Sequence, residues 1–289
     1  MKRKSILLTA LLVTQCILTS CTHSPPVKPP THPSGKKYDL VLIHGLTNKH
    51  QWSESFLNRC LEIWGSENVY AIYNNSSTRI WYRWINGRKL ICCGENDFTA
   101  GDDYIEVQSY YMHRAVVALQ NSCGLDPKFS VIAHSMGGLV SRHYIYEHPN
   151  TVAGLVTLGT PHHGSPLANS LNWAGIFIGA KDAMDHLKPE FVEGFNNRFP
   201  VTDAQLADDG RVYTIRGDGD GWDCFGWGGE LFLGWAILRI IHGTDSDGLV
   251  PTESAVIDGA VHISDFWGYD HYDLVEKSKV VENAAEYLR

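Results

Sequence analysis

KFSVIAHSMGG, residues 128–138, decides the fold. Phe129, Val131 and Ile132 make a short β-branched and apolar run, which reads as a strand. It stops at Ala133-His134-Ser135-Met136-Gly137, and an apolar segment with helical spacing begins at once. The stretch therefore predicts strand, sharp turn and helix, with Ser135 at the apex. It is the G-x-S-x-G pattern with Ala133 in place of the first glycine. Small residues flank the serine because helix and strand pack tightly there, and alanine is the smallest step away from glycine. Such a turn strains Ser135 and lifts its Oγ above the sheet as a candidate nucleophile. Met136 opens the helix, so its N–H has no intrahelical acceptor and can face an oxyanion. A serine that merely caps a helix would show the same five residues. The assignment therefore depends on partners elsewhere.

The chain has 289 residues, 44% of them hydrophobic, which is enough for one large α/β domain or two small ones. A net charge of −8 argues against a nucleic-acid partner. Met1-Lys2-Arg3-Lys4 and the mostly apolar Ile6–Leu18 read as a targeting segment over residues 1–20. Leu18-Thr19-Ser20-Cys21 resembles the lipobox of bacterial lipoproteins, which implies lipidation at Cys21 and anchoring in the cell envelope. Thr22 after the cysteine favours the outer membrane by the same resemblance. An ordinary secretory signal is the alternative. Residues 21–37 carry Pro25, Pro26, Pro29, Pro30 and Pro33, a stiff spacer of about 3.1 Å per residue when extended. Cys60, Cys92, Cys93, Cys123 and Cys224 fall in the domain proper. Five is odd, and spacing leaves their pairing open.

From Tyr38 onward, apolar strands alternate with amphipathic helices, which predicts a mostly parallel sheet covered on both faces. Strands are expected at Tyr38–Gly45, Asn68–Tyr73, Val152–Leu158, Val212–Ile215 and Ala260–Ile263, besides the one before Ser135. Helices are expected at His50–Trp64, Asp102–Cys123, after Ser135 to about Glu147, and at Asp273–Arg289. Asn74–Ala100 reads as irregular. Residues 38–289 read as one domain with insertions at about 166–200 and 217–243.

A serine nucleophile needs a base, and the base needs a carboxylate to orient it. Downstream of Ser135 the best acid is Asp247, in Ser246-Asp247-Gly248-Leu249-Val250-Pro251, with Asp218 and Asp245 as rivals. The best base is His271, on a loop between the last strand and last helix. His262 sits within a predicted strand and reads as a packed structural residue. Ile43-His44-Gly45-Leu46 closes the first strand. A glycine there lets the backbone turn, so that the Leu46 N–H can supply a second oxyanion donor beside Met136.

VLIHGL, AHSMGG, LGTPHHGS, DGLVP and DHYDL stand in the order found in bacterial lipases of the α/β-hydrolase superfamily, and the chain resembles that group from Tyr38 to its end. The resemblance implies an α/β-hydrolase fold. It makes Ser135 the nucleophile, Asp247 the acid and His271 the base, with Leu46 and Met136 forming the oxyanion hole. It implies hydrolysis of acyl or lipid esters through an acyl-enzyme, with no cofactor. An acyltransferase, thioesterase or phospholipase would use the same triad, and a non-catalytic lipoprotein would lack part of it. Some such lipases carry a structural calcium. Asp273, or the loop with Asp218, Asp220 and Asp223, is the corresponding neighbourhood here, and a solvated acidic loop is the alternative. No metal is assigned. The insertions match no motif. Trp173, Ile176, Phe177 and Ile178 in the first, and Trp222, Phe225, Trp227, Leu231, Phe232, Leu233 and Trp235 in the second, suit either a lid that receives an acyl chain or ordinary core.

Overall fold

The computed structural model describes residues 35–48, 52–169, 180–225 and 229–289. One sheet organises it. Its strands are β1 (Asp39–Ile43), β2 (Val69–Ile72), β3 (Ile80–Ile85), β4 (Arg88–Cys93), β5 (Phe129–His134), β6 (Val152–Leu158), β7 (Val212–Asp218) and β8 (Val261–Trp267). Their order across the sheet is β3-β4-β2-β1-β5-β6-β7-β8. Every neighbouring pair is parallel except β3 with β4.

Strands covered on both faces read as unbroken apolar runs, and alternate residues serve opposite cores. Leu40 and Leu42 of β1 pack on one side with Phe56, Leu61 and Trp64 of α1 (Glu54–Trp64). Val281 and Ala284 of α8 (Ser278–Tyr287) complete that layer. Val41 and Ile43 pack on the other side with Met112, Val116 and Leu119 of α2 (Ile105–Cys123). Leu139, Val140 and Tyr144 of α3 (Met136–Glu147) join them there. Each fully buried Leu, Ile or Val contributes roughly 1.5–3 kcal/mol. A charge at Leu42 would therefore break the layer that α1 covers.

Caps set the helix ends. The Ser53 Oγ accepts the Phe56 N–H at the start of α1 and donates to the Glu276 carbonyl, so it also ties α1 to the C-terminal helices. Left-handed Gly124 closes α2.

Four expectations change. Asn74–Ala100 contains the β3–β4 hairpin, closed by Asn86-Gly87 with φ of 48° and 76°. Asn-Gly is the pair that favours a two-residue hairpin turn. β7 runs on to Asp218 and β8 to Trp267, so the second insertion starts later than residue 217. The closing helix is two, α7 (Asp273–Glu276) and α8, separated by extended Lys277. His262 is exposed on the edge strand β8, where its ring bonds to Thr214 and Asp265 instead of packing inside. The first insertion carries α4 (Lys181–Asp185) and α5 (Pro189–Arg198), and the second carries α6 (Glu230–Ile241). Trp173, Ile176, Phe177, Ile178, Trp227 and Cys21 lie outside the described residues. Cys60, Cys92, Cys93 and Cys224 are buried free thiols.

Candidate active site

Ser135 is the single residue between β5 and α3. Its φ is 53° and its ψ −130°, a left-handed backbone that costs a non-glycine residue about 1–3 kcal/mol. Neighbouring backbone holds it there. The Ser135 N–H donates to the Leu158 carbonyl at 2.8 Å, and the Gly138 N–H donates to the Ser135 carbonyl at 3.0 Å. A β-carbon on Gly45 would stand 2.7 Å from Ser135 Cβ. One on Gly137 would strike the His44 carbonyl, and one on Gly138 would strike Thr160. The end of β1 and the start of α3 are thus in direct contact, and only glycine fits between them. Ala133 is fully buried beneath the turn.

Asp247 and His271 come together from separate loops. The Asp247 Oδ2 lies 2.7 Å from His271 Nδ1, and both side chains are almost wholly buried. The other oxygen, Oδ1, accepts the N–H groups of Leu249 and Val250 at 3.0 and 2.8 Å. The Asp-Gly-Leu-Val turn therefore wraps the carboxylate and leaves one oxygen for the imidazole. The His271 N–H also donates to the Asp247 carbonyl at 2.8 Å. With Nδ1 donating to the carboxylate, Nε2 is left as the acceptor nitrogen. His134, next to Ser135, places this pair at the turn. Its ring centre is 4.5 Å from that of His271, and its Nε2 donates to the His271 carbonyl at 3.0 Å.

The rival acids are elsewhere. Asp245 pairs with Arg239 at the surface. Asp218 ends β7, and burial pushes its carboxyl pKa up. Leu46 opens a 3-10 turn over Leu46–Asn48, and Met136 opens α3. Both thus occupy first positions, where the N–H has no intrahelical acceptor.

Sequence reasoning missed several supporting residues. Gly159 has φ 53° and faces both members of the acid–base pair. Behind the elbow, His162 Nδ1 accepts from Arg142 of α3 at 3.2 Å, and Nε2 accordingly donates to Thr157 Oγ1 at 3.0 Å. Burial first, then the Arg142 charge, pushes the His162 pKa well down. His162 stood in the quoted LGTPHHGS run, but nothing in that run names Arg142 as its partner.

The second insertion approaches the same loops. Leu231 of α6 packs with Cys224 and Tyr272, and sits against Gly248. Leu238 packs on Leu167. Leu233, Ile240 and Ile241 remain exposed. In the acidic neighbourhood, Asp273 pairs with Lys277, while Asp220 and Asp223 accept backbone N–H groups of their own loop.

Residues 38–206 match the family described as alpha/beta hydrolase fold, and the chain belongs to that family. Over 133 residues, 46% of its length, it is 28% identical to triacylglycerol lipases from Pseudarthrobacter phenanthrenivorans and Burkholderia plantarii. Those matches cover 36% and 32% of the two relatives, so the chain spans about a third of their length. Among solved structures it superposes on a Bacillus licheniformis lipase in mature form with a TM-score of 0.63 and 20% identity. That match covers 90% of this chain and 94% of the other. The propeptide form of the same lipase gives 0.60 at 20% identity, covering 92% of this chain and 51% of the other. At such identity the likeness speaks to the fold.

Proposed function

We propose that the chain is a serine carboxylic ester hydrolase of the lipase and esterase kind, acting on acyl esters. The observation that carries this is the buried Asp247–His271 pair, 2.7 Å apart, docked on the residue beside strained Ser135. The similarity to triacylglycerol lipases supports the same substrate class.

In this mechanism His271 Nε2 takes the proton of Ser135 Oγ as the oxygen bonds to the ester carbon. The carbonyl π pair moves onto oxygen, which the Leu46 and Met136 N–H groups receive. Asp247 holds the Nδ1–H tautomer and stabilises the imidazolium. The imidazolium then protonates the departing alcohol oxygen, leaving an acyl-serine. Water repeats the sequence with His271 as base and releases the acid. The residues carry every step without a cofactor.

The substrate side is formed by the insertions, with α6 supplying apolar surface for an acyl chain. Each buried CH₂ of that chain is worth about 0.8 kcal/mol. Cys21 is proposed as a lipid anchor that holds the domain at the outer membrane behind its proline spacer. A panel of p-nitrophenyl and glycerol esters, with free acid and alcohol quantified, tests the reaction. Release of both products in water separates hydrolysis from transfer to another alcohol. For the anchor, mass spectrometry of the N-terminus decides, with an unmodified N-terminus as the contrary result.

A further inference from the structure

The Asp247 carboxylate is held by a peptide unit whose far side is bonded to a residue outside the triad. Asp247 Oδ1 accepts the Val250 N–H at 2.8 Å. The carbonyl of that same peptide, the Leu249 oxygen, accepts the Ser165 Oγ–H at 2.7 Å. A trans peptide is planar, with its C=O and N–H on opposite sides. A hydroxyl that fixes the Leu249 oxygen therefore fixes the direction of the Val250 N–H. Ser165, the Leu249–Val250 peptide and Asp247 make one chain of hydrogen bonds, and it passes through the carboxylate to His271 Nδ1. Ser165, Val250 and Asp247 are all buried, so removing the hydroxyl leaves the Leu249 oxygen short of an enclosed donor.

The segment that carries Ser165 is clasped on two sides. Ser254 Oγ donates to the Gly164 carbonyl at 2.6 Å and accepts the His163 N–H at 3.0 Å. The Ser254 carbonyl accepts the His162 N–H at 2.7 Å. His162–Ser165 is thereby fastened to the stretch that follows Asp247. From the first insertion, the Leu187 carbonyl accepts the Ser165 N–H at 2.9 Å. Gly164 has φ 77°, and a β-carbon there would stand 2.7 Å from Pro189 Cα. The junction of α4 and α5 thus rests directly on the residues whose hydroxyl reaches the acid's loop.

We propose that Ser165 is a positioning residue for the catalytic acid, acting on Asp247 through the Leu249–Val250 peptide. This deepens the ester-hydrolase reading and rests on it. Ser165→Ala removes the donor and little volume. Ser165→Thr keeps the hydroxyl. Asp247→Asn removes the carboxylate on which the hydroxyl acts, so the two positions should not add.

The test is a double-variant cycle in the full-length protein. It measures kcat and KM on p-nitrophenyl butyrate, with the thermal midpoint alongside. Ser165→Ala is expected to lower kcat by roughly 10- to 30-fold, because a small misplacement of the acid misdirects His271. KM stays within about threefold. Placed on Asp247→Asn, the same change lowers kcat by less than about threefold further. Ser165→Thr holds kcat to within about fivefold of wild type. If the added methyl of Ser165→Thr prevents folding, the cycle carries the comparison without it. An equal loss from Ser165→Ala in both backgrounds, a loss that appears in KM or thermal midpoint alone, or a folded Ser165→Thr as slow as Ser165→Ala would overturn the proposal. Absence of Ser135-dependent turnover in wild type would instead sink the hydrolase reading, and this inference with it.

Discussion

Gly159 and Asp247 approach so closely that a β-carbon on Gly159 would stand 2.9 Å from Asp247 Oδ2 and 3.2 Å from His271 Nδ1. The residue that follows β6 is therefore the floor on which the acid–base pair rests. Its φ of 53° is one that side-chain-bearing residues seldom adopt.

Gly159→Ala should accordingly act on turnover before it acts on folding. An added methyl separates Asp247 from His271 and turns the imidazole away from Ser135. The expected loss in kcat is about 10- to 100-fold, with KM changed little. Steady-state kinetics beside a melting curve checks it. A loss of stability with kcat intact would show that the floor matters for packing alone.

Asp247 should be the acid that counts. Asp247→Asn removes the carboxylate that orients His271 and is expected to lower kcat by about 10⁴-fold. Asp245→Asn touches a surface pair with Arg239 and should leave kcat within about twofold. Reversed sensitivities would reassign the acid.

Much of this arrangement was legible because local chemistry forces it. An elbow demands small residues around Ser135, a doubly covered strand demands the unbroken apolar run at Leu40–Ile43, and the chain order places Asp247 and His271 downstream. Asn86-Gly87 also signalled the hairpin, yet Trp81 and Trp84 beside arginine and asparagine obscured the strands around it. Other features are contacts between distant segments. Arg142 meets His162 across the elbow helix, and Gly101 meets Gly45 across a loop, and neither pair shares a periodicity or motif. The second insertion began late because β7 continues through Gly217, where β8 supplies a partner that no single segment reveals.

Acid should weaken the fold through its enclosed histidines. Burial holds the His44 pKa down to about 4, from an ordinary 6.5. Between those values the unfolded chain binds the extra proton, so stability falls as pH drops from 6.5 toward 4. Asp270, raised by burial to about 6, works in the opposite direction over that range. The contribution of His44 is therefore read by difference. Denaturant titrations of wild type and His44→Asn should diverge in slope, the variant losing about 2–3 kcal/mol less on acidification. Parallel pH profiles would mean that His44 binds its proton equally well in the folded and unfolded chain.

Exposed apolar positions on α6 should favour long acyl chains. Leu233, Ile240 and Ile241 are solvent-facing, so charges there disturb little packing. For wild type, kcat/KM is expected to rise from acetate to octanoate esters. Ile240→Glu with Ile241→Glu should flatten that rise by about tenfold at octanoate while sparing acetate, consistent with about 0.8 kcal/mol per buried CH₂. A preference for acetate esters, or equal losses at every length, would remove α6 from the substrate path.

The nucleophile is tested most directly by covalent capture. An alkyl fluorophosphonate incubated with the folded protein, followed by peptide mass spectrometry, reports which oxygen attacks. One phosphonyl group on Ser135 is expected, with no label on Ser135→Ala and a fall in that variant's kcat of about four or more orders of magnitude. A specific label at another residue, or ester turnover retained by folded Ser135→Ala, would contradict the assignment of Ser135 as the nucleophile.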